Sequence, residues 1–142
     1  REKVEEAMTL TRVADYRGRN VSELSGGQRQ RVYFAMALAQ DTPLVLLDEP
    51  AAYLDLRHQL ELMELICLLR DRGKTVIAVL HDLPQALEWA DDLVVLADGA
   101  LADQGVPAEV FDRGTLDRVF RVKGCRVMVE GEERYFFTKG GE

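Results

Sequence analysis

Asp48 and Glu49 are adjacent carboxylates that close the apolar run 44–47 and precede Pro50, a pairing suited to chemistry on phosphate. Leu44, Val45, Leu46 and Leu47 follow Pro43 and read as a buried strand. Both acids then fall at a strand's C-terminal end, where open α/β sheets bind ligands. Adjacent acids at such an edge are costly without a positive neighbour, and Mg²⁺ beside phosphate oxygens is one such neighbour. Solvated acids on a polar strand end are the plain alternative. Ser25, Gly26 and Gly27 form a second candidate. They precede Val32, Ala35, Met36 and Ala39, whose i, i+3, i+4, i+7 spacing marks an amphipathic helix. The free N–H groups and positive dipole of a helix start, with glycines that let another group approach the backbone, suit phosphate. Ser25 with Gln28 also fits a capping box, a purely structural use of the same residues. His81 is the third candidate. It follows the apolar run 75–80 and stands near Asp48 and Glu49 if the two strands are neighbours.

The elements that must position these residues alternate along the chain. A helix over 1–14, without an obvious cap, precedes the break at 16–20. The helix after Gly27 ends at 40–43, because proline disfavours helix in the residue before it. A long helix over 56–72 carries two apolar stripes, Leu56, Leu60, Met63, Cys67 and Leu62, Ile66, Leu69. It joins strand 44–47 to strand 75–80 as a β-α-β unit, which makes the pair parallel. Gly73-Lys74-Thr75 copies the tail of a P-loop, but the glycine required five residues earlier is Leu68, and the segment ends a helix instead of opening one. Gly73 reads as a helix C-cap. Pro84 opens a short helix to Trp89. Strand 93–97, the turn Asp98-Gly99 and a return strand over 101–103 form a hairpin. Short helices start at 106–107 and 115, and strands 126–129 and 135–138 form a terminal hairpin around 130–133.

In order and spacing, Leu24-Ser25-Gly26-Gly27-Gln28-Arg29-Gln30-Arg31, Leu44-Val45-Leu46-Leu47-Asp48-Glu49-Pro50, Asp55 and His81 resemble the signature motif, Walker B motif, D-loop and switch histidine of ABC-type ATPase subunits. The run Tyr53-Leu54-Asp55-Leu56-Arg57-His58-Gln59-Leu60-Glu61-Leu62, with Val79-Leu80-His81-Asp82-Leu83, is similar more narrowly to subunits that energise importers of iron-siderophores, haem and cobalamin. The resemblance extends to about Val122. It implies an α/β fold, an incomplete P-loop NTPase core with a parallel sheet flanked by helices and a small C-terminal hairpin. Residues 1–42 would end the helical subdomain, 43–104 would form the C-terminal half of the ATPase core, and 105–142 would add the terminal helices and hairpin. It further implies ATP and Mg²⁺ as cofactors and a head-to-tail dimer of two ATPase subunits. Ser25, Gly26, Gly27 and Gln28 would meet the γ-phosphate of the ATP held by the other subunit. Asp48 would hold Mg²⁺, Glu49 would act as general base, His81 would position the attacking water, and Asp55 would link the two sites. Transmembrane permease subunits, and through them a substrate-binding protein, are the implied partners, at the cytoplasmic face of the membrane.

The sequence departs from that pattern in several places. Alanine stands at position 51, where the family usually has threonine or serine. A Walker A motif, a Q-loop and an adenine-stacking aromatic are missing from this stretch, so the chain by itself is expected to lack ATPase activity. The family's P-loop strand lies between the strand before His81 and strand 93–97. Without it an unpaired edge is expected to favour self-association. His58, on a charged helix face, reads as solvated.

The bulk numbers narrow the alternatives. A net charge of −7 over 142 residues argues against a nucleic-acid surface, which needs a basic patch. Two cysteines make neither a disulfide framework nor a zinc site. No apolar run approaches the roughly 18 residues of a membrane span. Two other readings compete. One is the head of an ABC-type DNA-repair ATPase, disfavoured by the absent coiled coil before Leu24. The other is a non-enzymatic binding module, disfavoured by intact Glu49 and His81.

Overall fold

The computed structural model describes residues 1–52 and 54–140; Tyr53, part of the run 53–62, lies outside the described residues. The chain divides into a unit of Arg1–Val79 and a unit of Leu80–Glu142.

The first unit starts with helix α1 (Glu2–Leu10), whose N-cap Arg1 makes no side-chain capping bond. The helix stops short of residue 14. The buried Thr11 hydroxyl donates back to the Ala7 carbonyl at 2.8 Å, and Arg12 turns to φ 55°. Two 3-10 turns, Ala14–Tyr16 and Val21–Glu23, lead to helix α2 (Gly26–Ala39). Strand β1 (Leu44–Asp48), helix α3 (Leu56–Asp71) and strand β2 (Thr75–Val79) follow. β1 and β2 pair in parallel, from Leu44 opposite Thr75 to Asp48 opposite Val79. Ala7, Phe34, Ala35, Leu38, Ala51, Leu62 and Leu69 form one core. Of the two stripes expected on the third helix, that of Leu62, Ile66 and Leu69 packs inward, while the other is divided, with Met63 buried and Leu56 and Leu60 exposed.

The strands are not buried on both faces, as their apolar sequences led us to expect. Val45, Leu47 and Val76 face the core, but Leu44, Leu46, Ile77 and Val79 on the opposite face are exposed, Leu46 by 68%. α3 is the crossover helix of the unit and covers one side of the pair. Continuous apolar strands therefore reflect a sheet whose second face has no cover among the described residues.

The second unit holds helix α4 (Leu83–Trp89), strands β3 (Leu93–Ala97) and β4 (Ala100–Gly105), helices α5 (Pro107–Asp112) and α6 (Thr115–Phe120), and strands β5 (Val122–Val129) and β6 (Glu132–Lys139). Asp98 and Gly99 both take positive φ, 52° and 75°, which a two-residue hairpin turn demands. The terminal hairpin is longer than its sequence suggested. Its turn is Glu130-Gly131 alone, at φ 53° and 85°, and Glu132 and Glu133 pair with Val129 and Met128. Two residues at positive φ match the strand twist, so the ladder closes two residues sooner than a four-residue loop allows. Leu87, Val95, Val110, Leu116 and Tyr135 form the second core.

Candidate active site

The turn before α2 is a fully formed capping box. Ser25 is extended (φ −60°, ψ 163°) and its hydroxyl oxygen accepts the Gln28 N–H at 3.3 Å. The Gln28 side-chain oxygen in turn accepts the Ser25 N–H at 3.0 Å. The structural use of Ser25 and Gln28 is thus realised. It also leaves the Ser25 hydroxyl proton available as a donor, because the oxygen serves as the acceptor. Gly26 and Gly27 open the helix, where N–H groups lack intrahelical acceptors. A Cβ at Gly26 would meet nothing within 4 Å, so the approach to this backbone is open. A Cβ at Gly27 would stand 3.4 Å from the His58 ring carbon Cδ2.

The carboxylate turn is built differently. Asp48 ends β1 with its side chain exposed. Glu49 then adopts φ +44°, a left-handed conformation unfavourable for a residue with a Cβ. Two bonds hold it there: its N–H donates to the Val79 carbonyl and its carbonyl accepts the Ala52 N–H, both at 3.0 Å. Pro50 behind it is buried, and its carbonyl accepts the Gln30 side-chain amide at 3.0 Å. The Gln59 amide donates to the Leu54 carbonyl at 3.0 Å. Two glutamines therefore pin the loop that carries Ala51, whose missing hydroxyl is replaced by burial of its methyl group in the core.

Asp55 caps α3. Its Oδ1 accepts the His58 N–H at 2.9 Å and lies 2.6 Å from the ring Nδ1 of the same residue. The backbone N–H first, and the ring N–H second, hold the Asp55 carboxyl below the usual carboxylate range. His58 is accordingly no solvated surface residue. Its ring faces Gly27 and lines a cleft of about 150 Å³ with Gln30, Arg31 and Glu61.

Ser25, Gly26, Gly27, Gln28, Asp48, Glu49 and Asp55 all belong to the first unit, tied together by the Gln30–Pro50 bond and the Gly27–His58 contact. His81 belongs to the second unit, where it is exposed and precedes Asp82, the cap of α4. Gly73 takes φ +79° and donates its N–H to the Arg70 carbonyl at 2.8 Å. Lys74 is bound to Asp41 at 3.0 Å and to the Thr42 carbonyl at 2.9 Å, so Gly73-Lys74-Thr75 ends a helix and offers no phosphate cradle. Gln30, His58 and Gln59 escaped the sequence reading. His58 had a signal: three residues after a capping Asp, it has the spacing of a capping box.

A sequence model described as "ABC transporter" matches residues 1–52. The same segment carries the capped Ser25-Gly26-Gly27 turn and the Asp48-Glu49-Pro50 turn. Over this segment the chain resembles the ABC transporter family. Its ABC relatives include the ferric enterobactin transport ATP-binding protein FepC of Escherichia coli, 43% identical over 90% of this chain and 46% of that protein. The hemin import ATP-binding protein HmuV of Streptomyces coelicolor is 52% identical over 82% of this chain and 42% of its own length. The cobalamin import ATP-binding protein BtuD of Halobacterium salinarum is 46% identical over 82% of this chain and 30% of its own length. The chain spans about half the length of curated relatives such as FepC. Among solved structures, an ABC transporter in an inward-facing conformation shares the fold with a TM-score of 0.86, at 24% identity over 96% of this chain and 56% of that one. CbiO1 of Clostridium perfringens, part of an ABC transporter complex, gives a TM-score of 0.71 at 30% identity over 82% of this chain and 47% of its own. The fold is a partial ABC ATPase fold of the α/β class.

Proposed function

We propose that this chain supplies the signature, Walker B, D-loop and switch-histidine portion of the ATP-hydrolysing subunit of an importer for iron-siderophores, haem or cobalamin. The Gln30–Pro50 bond is the observation that carries this reading. It binds the helix that starts at the phosphate-type turn to the turn that presents the two acids, so the turn that would meet the other subunit's ATP and the acids that would act on this chain's own are held in one body. The enterobactin, hemin and cobalamin transport roles of the relatives suggest the cargo class.

The residues fit the groups that this reading requires. Open space over Gly26 admits a phosphate oxygen. Asp48 offers an exposed carboxylate oxygen, and Mg²⁺ is commonly held by one or two carboxylates with waters and phosphate oxygens. Among the described residues no three His, Cys, Asp or Glu side chains gather, so Asp48 would act with phosphate oxygens and not within a protein cage. When bound, Mg²⁺–ATP supplies the γ-phosphoryl group and the neutralising charge. The Ser25 hydroxyl and the Gly27 N–H would donate to the γ-phosphate of the ATP held by the other subunit, with Gly26 and Gln28 shaping the turn. Glu49 would accept the proton of the attacking water. His81 would orient that water, and Asp55 would face a second ATPase subunit in a head-to-tail dimer.

In this reading 1–42 ends the helical subdomain, 43–104 is ATPase core and 105–142 is a C-terminal addition. No helix among the described residues is long and apolar enough to cross a membrane. Attachment to the cytoplasmic face would come through permease subunits. The test compares two preparations. The chain alone should release no phosphate from ATP above background. The complete subunit should hydrolyse ATP, and Glu49→Gln should slow it by about 10²-fold or more. Phosphate release from the chain alone that Glu49→Gln abolishes refutes the first expectation. A complete subunit indifferent to Glu49→Gln refutes the assignment of the base.

A further inference from the structure

His58 is not needed merely to start a helix. A capping aspartate requires one backbone N–H, and Asp55 has it at 2.9 Å. The ring adds a second bond from Nδ1 to the same oxygen at 2.6 Å. That bond turns the imidazole across to the first turn of α2, where Cδ2 and Nε2 stand 3.4 and 3.6 Å from the position of a Gly27 Cβ. One turn further along both helices Arg31 reaches Glu61 at 3.8 Å. The two contacts form successive rungs between α2 and α3. The Asp55 side chain stays 68% exposed with Oδ1 engaged.

We propose that His58 is a positioning residue that locks the Asp55 carboxylate and the Gly27 turn into one register. The proposal rests on the assignment of those two sites to a shared nucleotide interface. With Asp55 ionised, the ring proton sits on Nδ1, where it bridges to the carboxylate, and the Nε2 edge lies toward Gly27. The rung carries motion of the Asp55 loop directly to the turn of Ser25, Gly26 and Gly27. In the proposed reaction ATP is held mainly by another loop. Loss of the rung therefore lowers turnover and leaves ATP binding in place.

The experiment measures steady-state ATP hydrolysis by the complete subunit assembled with its membrane partner, for wild type and for His58→Asn, His58→Gln and His58→Ala. The asparagine amide nitrogen takes the place of Nδ1, and the glutamine amide nitrogen takes the place of Nε2. His58→Asn should keep kcat within about threefold of wild type, whereas His58→Gln and His58→Ala should lose about tenfold or more, with KM for ATP unchanged within about twofold, as expected for an interaction made only in the transition state. A cap acting only on stability would move the melting temperature and leave kcat alone. Wild-type kcat in His58→Gln, or equal losses in His58→Asn and His58→Gln, overturns the proposal. If His58→Ala does not fold, the Asn and Gln pair decides. Failure of the underlying reading looks different: the wild-type assembly then releases no phosphate, and the proposal falls with it.

Discussion

Replacing Gln30 tests whether the two turns of the site are held by one bond. Its amide nitrogen donates to the Pro50 carbonyl at 3.0 Å, and Pro50 is buried. Removing a donor from a buried carbonyl costs more than an average hydrogen bond, about 1–3 kcal/mol. Gln30→Ala should therefore destabilise the first unit by about that amount. Gln30→Glu is the sharper variant. At pH 7 a carboxylate faces a carbonyl, both acceptors, and the loss should exceed that of alanine. Below about pH 4 the side chain is protonated and donates, so part of the loss should return. Met36→Ala, on an exposed position of the same helix, should stay within about 0.5 kcal/mol. The assay is urea unfolding followed by circular dichroism, together with hydrogen exchange of α2 and α3 amides, which reports on the first unit whatever the second does. Gln30→Ala within about 0.5 kcal/mol of wild type, or Gln30→Glu equal to alanine at every pH, would show that the bond does not join the two turns.

Three further outcomes follow from individual geometries. Glu49→Gly relieves a positive φ costing about 1–2 kcal/mol and loses about 0.5–1 to backbone entropy, so urea unfolding should show a slight net gain in stability while ATP hydrolysis by the complete subunit disappears. A Cβ at Gly124 would stand 2.7 Å from Phe111 Cε2, and that ring is held by Tyr135 at 5.0 Å and by Arg126 above it. Gly124→Ala should cost about 1–3 kcal/mol, read from the fluorescence of Trp89 in the second unit. The Arg113 guanidinium first, and the Thr115 hydroxyl second, hold the Asp103 carboxyl well below the usual carboxylate range. A depressed carboxyl stabilises above its unfolded value, about 3.9, and loses that contribution as pH falls below it. The Trp89-monitored unfolding midpoint should drop below about pH 4, and Asp103→Asn should flatten that drop.

Much of the fold was legible because its signals are local. Apolar spacing, Pro43, Gly73, Pro84 and Asp98-Gly99 mark the elements, and the structure places α2, β1, α3, β2 and the first hairpin within a few residues of those marks. The first helix ran short because Arg12 turns to φ 55°, a left-handed step that breaks the helix and that helical periodicity does not encode. Burial of both strand faces was misjudged, because an apolar strand reads the same whether or not its second face is covered.

The residue types alone determined the candidate chemistry: serine and two glycines opening a helix, two acids closing a strand, a histidine after the next. Their order carried the resemblance to ABC-type ATPase subunits, since four spaced motifs leave little room for coincidence. Tertiary structure decided how they are held. Only folding brings Gln30 to Pro50 and His58 to Gly27, contacts separated by 20 and 31 residues along the chain. Neither distance has a periodicity that sequence can display. Such pairs are fixed by the core that Phe34, Ala35 and Leu38 of α2 share with Leu62 and Leu69 of α3, which sets the two helices side by side.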